Sequence, residues 1–420
     1  MHGSIRPSTL RLLAQSKGVA LSPRGSEKPR DVADCFELFR AVHVAIDCRD
    51  ALKRVVAEVL EDFMNQYVVY LELRTTPREL PADGTSKAQY LQLVVSLLAE
   101  HNKRNGHVMQ ARLLVSVDRG QTVAGNAELE GLLRNVLDEA DVIVGVDFSG
   151  DPSSSSGRFE RYVPLLEQWK SSGVARHFSV HAAELEDPGQ SVQCAGGIDV
   201  DGGCAATQHE FDSILAFQPD RLGHALYLLP RHVTTLLVLH QQHRQFTLRQ
   251  AEEREEREEQ VWVRQGAGHG SGSGSGSSGS GSSGSGSSGS DATAAGTGFF
   301  HTWPPPPLIE VCPTSNRVVM NHSSYAQHPH LRTWIDSGYP IAISTDDAGV
   351  FETTLTQEFL HVSTAFNLTM VQIVAIAAQP LDYIFCPEVK KQVAQRFAAV
   401  LFAARTREPP VLPPNVVALL

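Results

Sequence analysis

Three short motifs hold the residue types that do chemistry in this chain: His181-Ala-Ala-Glu184, Arg221-Leu-Gly-His224 and Ser344-Thr-Asp346-Asp347. An imidazole and a carboxylate can hold a divalent metal ion, and a second carboxylate beside the metal can move protons. The combination points to metal-assisted hydrolysis. Each residue also has a plainer reading. His181 alone could be a hydrogen-bonded core histidine, and His224 a structural one whose neighbour Gly223 permits close approach. Asp346-Asp347 could cap a helix. Two adjacent buried carboxylates repel, however, and so call for a cation or a proton-bearing partner.

Each motif follows a short apolar run, so each sits where a buried strand would surface. Such runs alternate with amphipathic stretches along the whole chain, the pattern of an α/β fold with a parallel sheet. Strands are expected at Tyr67–Thr75, Gln110–Val117, Val142–Phe148, Phe178–His181, Asp220–Ala225, Leu308–Cys312 and Pro340–Ser344. Helical patterns lie between them, at Asp50–Asn65, Tyr90–Lys103, Glu128–Glu139 and Tyr162–Ser171. A (β/α)8 TIM barrel of the metal-dependent hydrolase type presents catalytic groups at the C-terminal ends of several strands. One such barrel with insertions fits 420 residues. A single domain over residues 1–420 is therefore expected. The opening Met1–Pro7 reads as a loop running into a helix, which places an expected first strand upstream of Met1.

Two segments interrupt the alternation. Residues 186–207, rich in Gly, Asp and Cys, read as a loop insertion. Residues 245–302 read as a charged and then disordered insertion: Glu252–Glu259 suits a solvated helix with paired signs, and Gly266–Ser290 is a Gly/Ser coil. The Gly/Ser tract is either a tether or an expanded surface loop without a role. A net charge of −11 argues against nucleic-acid or membrane partners. Six cysteines without a CxxC pair read as reduced thiols. With no membrane-length apolar stretch and no secretory signal, a cytoplasmic location is expected.

The motifs together resemble the adenosine/AMP deaminase family. The matching text is Tyr70-Leu-Glu-Leu-Arg-Thr-Thr-Pro-Arg78, Val115-Ser-Val-Asp118-Arg119, Gly145-Val-Asp-Phe-Ser-Gly-Asp151, His181-Ala-Ala-Glu184, Asp220-Arg-Leu-Gly-His224, Glu310-Val-Cys-Pro-Thr-Ser-Asn316 and Ser344-Thr-Asp-Asp-Ala-Gly-Val-Phe351. The seven run in family order along nearly the whole chain. Within the family the similarity is greatest to members acting on N6-methyl-AMP. The resemblance implies a zinc ion, one per complete chain, held by His181 and Asp346. It implies that Glu184 protonates the purine ring while water attacks carbon 6, that His224 orients or deprotonates that water, and that Asp347 hydrogen-bonds the purine. It places His43, Thr75, Thr76, Pro77, Arg78, Asp118 and Gly150 against the nucleotide. Threonine hydroxyls and a guanidinium suit a 5′-phosphate, although Arg78 could equally be a solvated surface arginine.

Adenosine deaminases carry an acidic residue where this chain has His2, which would not repel a phosphate. The expected reaction is therefore N6-methyl-AMP to IMP and methylamine, by a monomer whose partner is a small purine nucleotide. Deamination of adenosine is the alternative. The family's first strand ends in His-x-His-Leu-x-Gly-Ser, which this chain enters at Met1, so its two metal histidines are absent here. A truncated chain is the expectation, and a catalytically inactive nucleotide-binding homologue the rival.

Overall fold

The computed structural model describes residues 1–19, 32–137, 142–152, 157–185, 204–266, 304–386, 389–395 and 398. Their elements alternate along the chain as α1 (Pro7–Ser16), α2 (Val32–Ala45), α3 (Arg49–Asn65), β1 (Tyr70–Thr75), α4 (Lys87–Asn105), β2 (Gln110–Asp118), α5 (Val123–Leu137), β3 (Ile143–Ser149), α6 (Val163–Ser172) and β4 (Phe178–Ala182). There follow α7 (Cys204–Phe217), β5 (Arg221–His224), α8 (Pro230–Gly266), β6 (Leu308–Val311), α9 (Pro313–Val319), α10 (Leu331–Ser337), β7 (Ile341–Ile343), α11 (Leu355–Phe366) and α12 (Met370–Ala378). All seven expected strands are present: β1, β5, β6 and β7 are one to three residues shorter than the runs that announced them, β3 keeps its length, and β2 and β4 run one residue further. The insertion expected at 186–207 lies outside the described residues except for its last four, which open α7. The Gly/Ser tract lies outside them beyond Gly266.

Two compact units divide the chain. Met1–Thr234 with Pro307–Leu420 form one, and Thr235–Pro306 the other. In the second, α8 continues as a solvated helix. Its charge run is laced by Arg257–Glu253 at 3.3 Å and Arg254–Glu258 at 3.8 Å, both one turn apart.

The first unit is built on one sheet whose strands all run parallel, in the order β1 to β7. Strands covered on both faces favour apolar residues, and in β2 Ala111 through Val117 are all buried, with Arg112 and Ser116 the polar members. Helices seal the outer face. The capping box of Ser86 and Gln89 starts α4, whose Tyr90, Leu91, Val94 and Leu98 are wholly buried. Between β3, β4 and the helices beyond them Phe148, Phe159, Phe178 and Phe217 pack edge to face, with centroids 5.1–5.5 Å apart. Among the described residues β1 and β7 are each paired on one side only. No helix among them is long and apolar enough to cross a membrane.

Inside the sheet lies a layer of charge. Arg221 pairs with Glu72 on β1 and reaches Glu310 on β6 at 3.5 Å. Arg74 pairs with the same Glu310, approaches Asp147 on β3 at 3.5 Å and donates to the Ser179 hydroxyl at 3.0 Å. Removing one partner of a buried ion pair costs about 3–5 kcal/mol, because the other charge is stranded away from water. This layer is the floor of the site above it.

Candidate active site

The three motifs meet at the C-terminal ends of β4, β5 and β7. Ala182 is in register with His224, and the His181 and His224 rings lie 5.2 Å apart. The turns that bring the side chains together bend sharply. Ala183, His224, Ala225 and Asp346 have φ of 47°, 59°, 50° and 54°, left-handed backbone that side chains resist. Such strain costs on the order of 1–3 kcal/mol per residue and clusters at functional sites. The result places His224 Nε2 at 3.7 Å from Glu184 Oε1 and 4.0 Å from Asp346 Oδ2.

Metal-ligating atoms converge in the same place. His224, Cys312 and Asp346 each present one such atom within 4.8 Å of the others, a grouping that could hold a metal ion. Burial keeps the Cys312 thiol protonated, well above its usual range, with Asp346 and Glu310 adding to the shift. His181 is prepared differently. Its Nδ1 stands 3.1 Å from Asp147 Oδ1, and both atoms are buried without a well-formed hydrogen bond. Burial opposes the charged imidazole, but Asp147 outweighs it and lifts the His181 pKa. Asp147 is held ionised against its own burial by Arg74 and His181. A carboxylate behind Nδ1 leaves Nε2 to face a metal, the arrangement that orients ligand histidines. The donors present therefore fit a metal ion.

Asp347 sits beside Asp346 against the turn at Met1–Ser4. A Cβ on Gly3 would come within 2.0 Å of Asp347 Oδ1, so only glycine lets the carboxylate in. The Met1 ammonium donates to the Arg74 carbonyl at 2.8 Å. Burial and then Asp346 raise the Asp347 pKa, while the Met1 ammonium and His181 hold it down. A cavity of about 330 Å³ opens here, lined by His181, His224, Cys312, Asp346 and Asp347 and reaching past β1 and β7 to Leu381.

A second group of expected residues gathers around His2. Its Nε2 lies 3.3 Å from the Tyr90 hydroxyl, which meets the Thr75 hydroxyl at 2.6 Å, and its ring stands edge-on to His43 at 5.7 Å. Burial lowers the His2 pKa, and Arg78, the Met1 ammonium and His43 lower it further; burial and Arg78 lower the His43 pKa as well. Arg78 spends Nη2 on the backbone carbonyls of His43 and Ile46, while its buried Nε has no partner. Thr76 and Pro77 join it to β1. Asp118 and Gly150 stand together at the ends of β2 and β3. The φ of Gly150 is +110°, and a Cβ there would lie 2.4 Å from Asp118 Oδ1.

Sequence reasoning had assigned no role to Tyr90, Asp147, Cys312, Asn316 or His328. A charged residue inside an apolar strand was the available signal for Asp147; Tyr90 looks like any apolar helix position. Asn316 links His224 to His328, at 3.0 Å on each side.

Known proteins resemble this chain over nearly its whole length. The N6-Methyl-AMP deaminase of Danio rerio is 26% identical, covering 96% of this chain and 92% of its own. The N6-mAMP deaminase of Arabidopsis thaliana is 25% identical, covering 94% and 92%. Among solved structures, arabidopsis ADAL complexed with GMP superposes with a TM-score of 0.68 at 25% identity, over 95% of this chain and 94% of that one. A zinc-bound amidohydrolase from Burkhoderia ambifaria, 15% identical with a TM-score of 0.60 over 97% and 90%, shares the fold. The family model described as adenosine deaminase matches residues 1–201 and 307–399, more than half the sequence, and the chain belongs to that family.

Proposed function

We propose that this chain is a metal-dependent deaminase of purine nucleotides, converting N6-methyl-AMP to IMP and methylamine. One observation carries the reading: a carboxylate and imidazole cluster that fits a metal, His181, Glu184, His224 and Asp346, adjoins a group of hydrogen-bonding side chains around His2 that includes the guanidinium of Arg78. The Met1–Ser4 turn joins them, because Gly3 abuts Asp347 while His2 faces Tyr90 and His43. The names of the Danio rerio and Arabidopsis relatives support the substrate.

In this reading His181 and Asp346 would hold zinc. When bound, zinc supplies Lewis acidity that makes water a nucleophile near neutral pH. Glu184 gives its proton to the ring nitrogen beside carbon 6 as the water oxygen adds to that carbon; of the two protons that oxygen sheds, one restores Glu184 and the other goes to the amine, which leaves as the carbon–nitrogen bond breaks. Asp347 hydrogen-bonds the purine edge, and Asp118 and Gly150 lie against the nucleotide. The unpartnered Arg78 Nε, with His2, His43, Thr75 and Thr76, receives the 5′-phosphate. A buried donor without an acceptor costs about 1–3 kcal/mol, which an anionic ligand recovers. The protein would act as a monomer in the cytoplasm.

The test is turnover of N6-methyl-AMP, AMP and adenosine by the zinc-loaded chain, with metal content measured alongside. Preference for N6-methyl-AMP is expected. Equal or better turnover of adenosine would remove the nucleotide assignment, and IMP binding without turnover of any substrate would leave a noncatalytic nucleotide site.

A further inference from the structure

The pair Asn316 and His328 lies behind His224, away from the cavity, and its hydrogen bonds can be settled by counting donors. Two backbone N–H groups at the start of α10 point at Nδ1 of His328: that of Leu331 at 3.1 Å and that of His330 at 3.4 Å. Backbone N–H groups only donate, so Nδ1 carries a lone pair. The ring is buried, and burial, reinforced by the neighbouring histidines His330, His322 and His224, holds its pKa down to about 3. It is therefore neutral, with its proton on Nε2.

That N–H faces the Asn316 amide at 3.0 Å. The amide nitrogen is itself a donor, and two donors cannot face each other at that distance. A half turn of the amide exchanges its oxygen and nitrogen at almost no change in shape, and only the surrounding hydrogen bonds decide between them. Here His328 decides. The Asn316 oxygen accepts from His328, and the Asn316 nitrogen donates to Nδ1 of His224, the other contact at 3.0 Å. Nδ1 of His224 then has no proton of its own.

We propose that His328 is a positioning residue: through Asn316 it fixes His224 in the tautomer that carries its proton on Nε2, so that His224 faces the site as a hydrogen-bond donor. Nε2 is the atom near Glu184 and Asp346. A protonated Nε2 cannot ligate a metal, which leaves that work to His181 and Asp346. Nor can it accept a proton from water. It can donate a hydrogen bond to the oxygen that adds to the purine, holding that oxygen's lone pair toward carbon 6. This last step rests on the deaminase reading; the tautomer does not.

The experiment is long-range ¹H–¹⁵N correlation on the full chain labelled with ¹⁵N-histidine, with the His224 signals identified by their loss in His224→Gln. Nε2 protonated and Nδ1 bare is the expected pattern, and Nδ1 protonated in the wild type overturns the proposal. Asn316→Asp offers His224 only acceptor oxygens while still accepting from His328. It should move the His224 proton to Nδ1, and lower kcat on the order of 10²–10⁴-fold with KM changed only a few-fold. An unchanged His224 pattern in folded Asn316→Asp also overturns it. His328→Gln should yield both tautomers. A chain with the expected spectrum but no turnover would refute the deaminase reading and still support the tautomer.

Discussion

Asp147→Asn is the substitution that best separates a metal site from a structural charge layer. Asp147 is fully buried; it touches His181 Nδ1 at 3.1 Å, Arg74 at 3.5 Å and accepts from the Ser116 hydroxyl at 3.1 Å. Asparagine keeps the shape and replaces a full charge with a dipole. Arg74 retains Glu310 and Ser179, so the fold should survive. Among the described residues Asp147 is the carboxylate paired with His181 Nδ1, so His181 loses what orients it and makes it basic. Loss of such a partner typically weakens metal binding 10- to 100-fold. At about 1.36 kcal/mol per decade that is about 1.4–2.7 kcal/mol. The assay is competition for zinc against a chromophoric chelator at fixed pH, with Glu72→Gln beside it. Glu72 belongs to the same buried layer but pairs with Arg221, not His181. Glu72→Gln should therefore lose stability without losing zinc affinity. Equal zinc affinity in Asp147→Asn and wild type would refute His181 as a ligand held from behind by Asp147.

Arg78→Ala should weaken N6-methyl-AMP by about 1.5–3 kcal/mol, the worth of hydrogen bonds to a charged group, while leaving N6-methyladenosine nearly unchanged; kcat/KM for the pair decides, and equal losses remove Arg78 from the phosphate site. Glu184→Gln should lower turnover on the order of 10²–10⁴-fold and keep zinc, since the residue moves a proton; loss of zinc in an elemental assay would reverse that role. Gly150→Ala meets both a left-handed φ and the Asp118 carboxylate, and should cost about 1–3 kcal/mol in urea unfolding while raising KM. His328 titrates at about 3 when folded and near 6.5 when unfolded, so the unfolded chain binds the extra proton between those values. Stability from this group is complete above about pH 6.5 and is lost as pH falls. By pH 5 the loss is about 2 kcal/mol, and His328→Gln should flatten that part of the stability-against-pH curve.

The sheet could be read from the chain because a parallel strand buried on both faces needs an apolar run, and seven such runs stand out. Their ends carried His181, Glu184, His224, Asp346 and Asp347, which the fold brings together, so the candidate site was legible with them. What lies behind these residues was not. His2 meets Tyr90 across 88 residues, and His224 meets Asn316 across 92. No local pattern encodes such pairings. Tyr90 occupies an ordinary buried position on α4, and Asn316 and His328 sit on or before helices of seven residues, too short for a periodic signal. The charged strand positions carry a clue of their own. Glu72, Arg74, Asp147, Arg221 and Glu310 all interrupt apolar strands, and a charge inside a doubly covered strand must find its partner in the interior.

The placement of that cost separates a site from mere packing. The strained backbone of Ala183, His224, Ala225 and Asp346, the two adjacent carboxylates and the lone Nε of Arg78 all work against stability, and all lie at one end of the sheet or in the pocket beside it. Left-handed φ occurs elsewhere too, at Tyr67, Gln218, Asn321, Glu352 and Asn367, so backbone strain alone does not mark the site; the paired carboxylates and the lone guanidinium nitrogen do. Two adjacent carboxylates and a buried donor without an acceptor are costs that a bound cation and a bound anion would relieve. Ligand-induced stabilisation should therefore be large for this chain. IMP with zinc should raise its thermal midpoint in proportion to the logarithm of ligand concentration, whereas zinc and inosine without the phosphate should do so less.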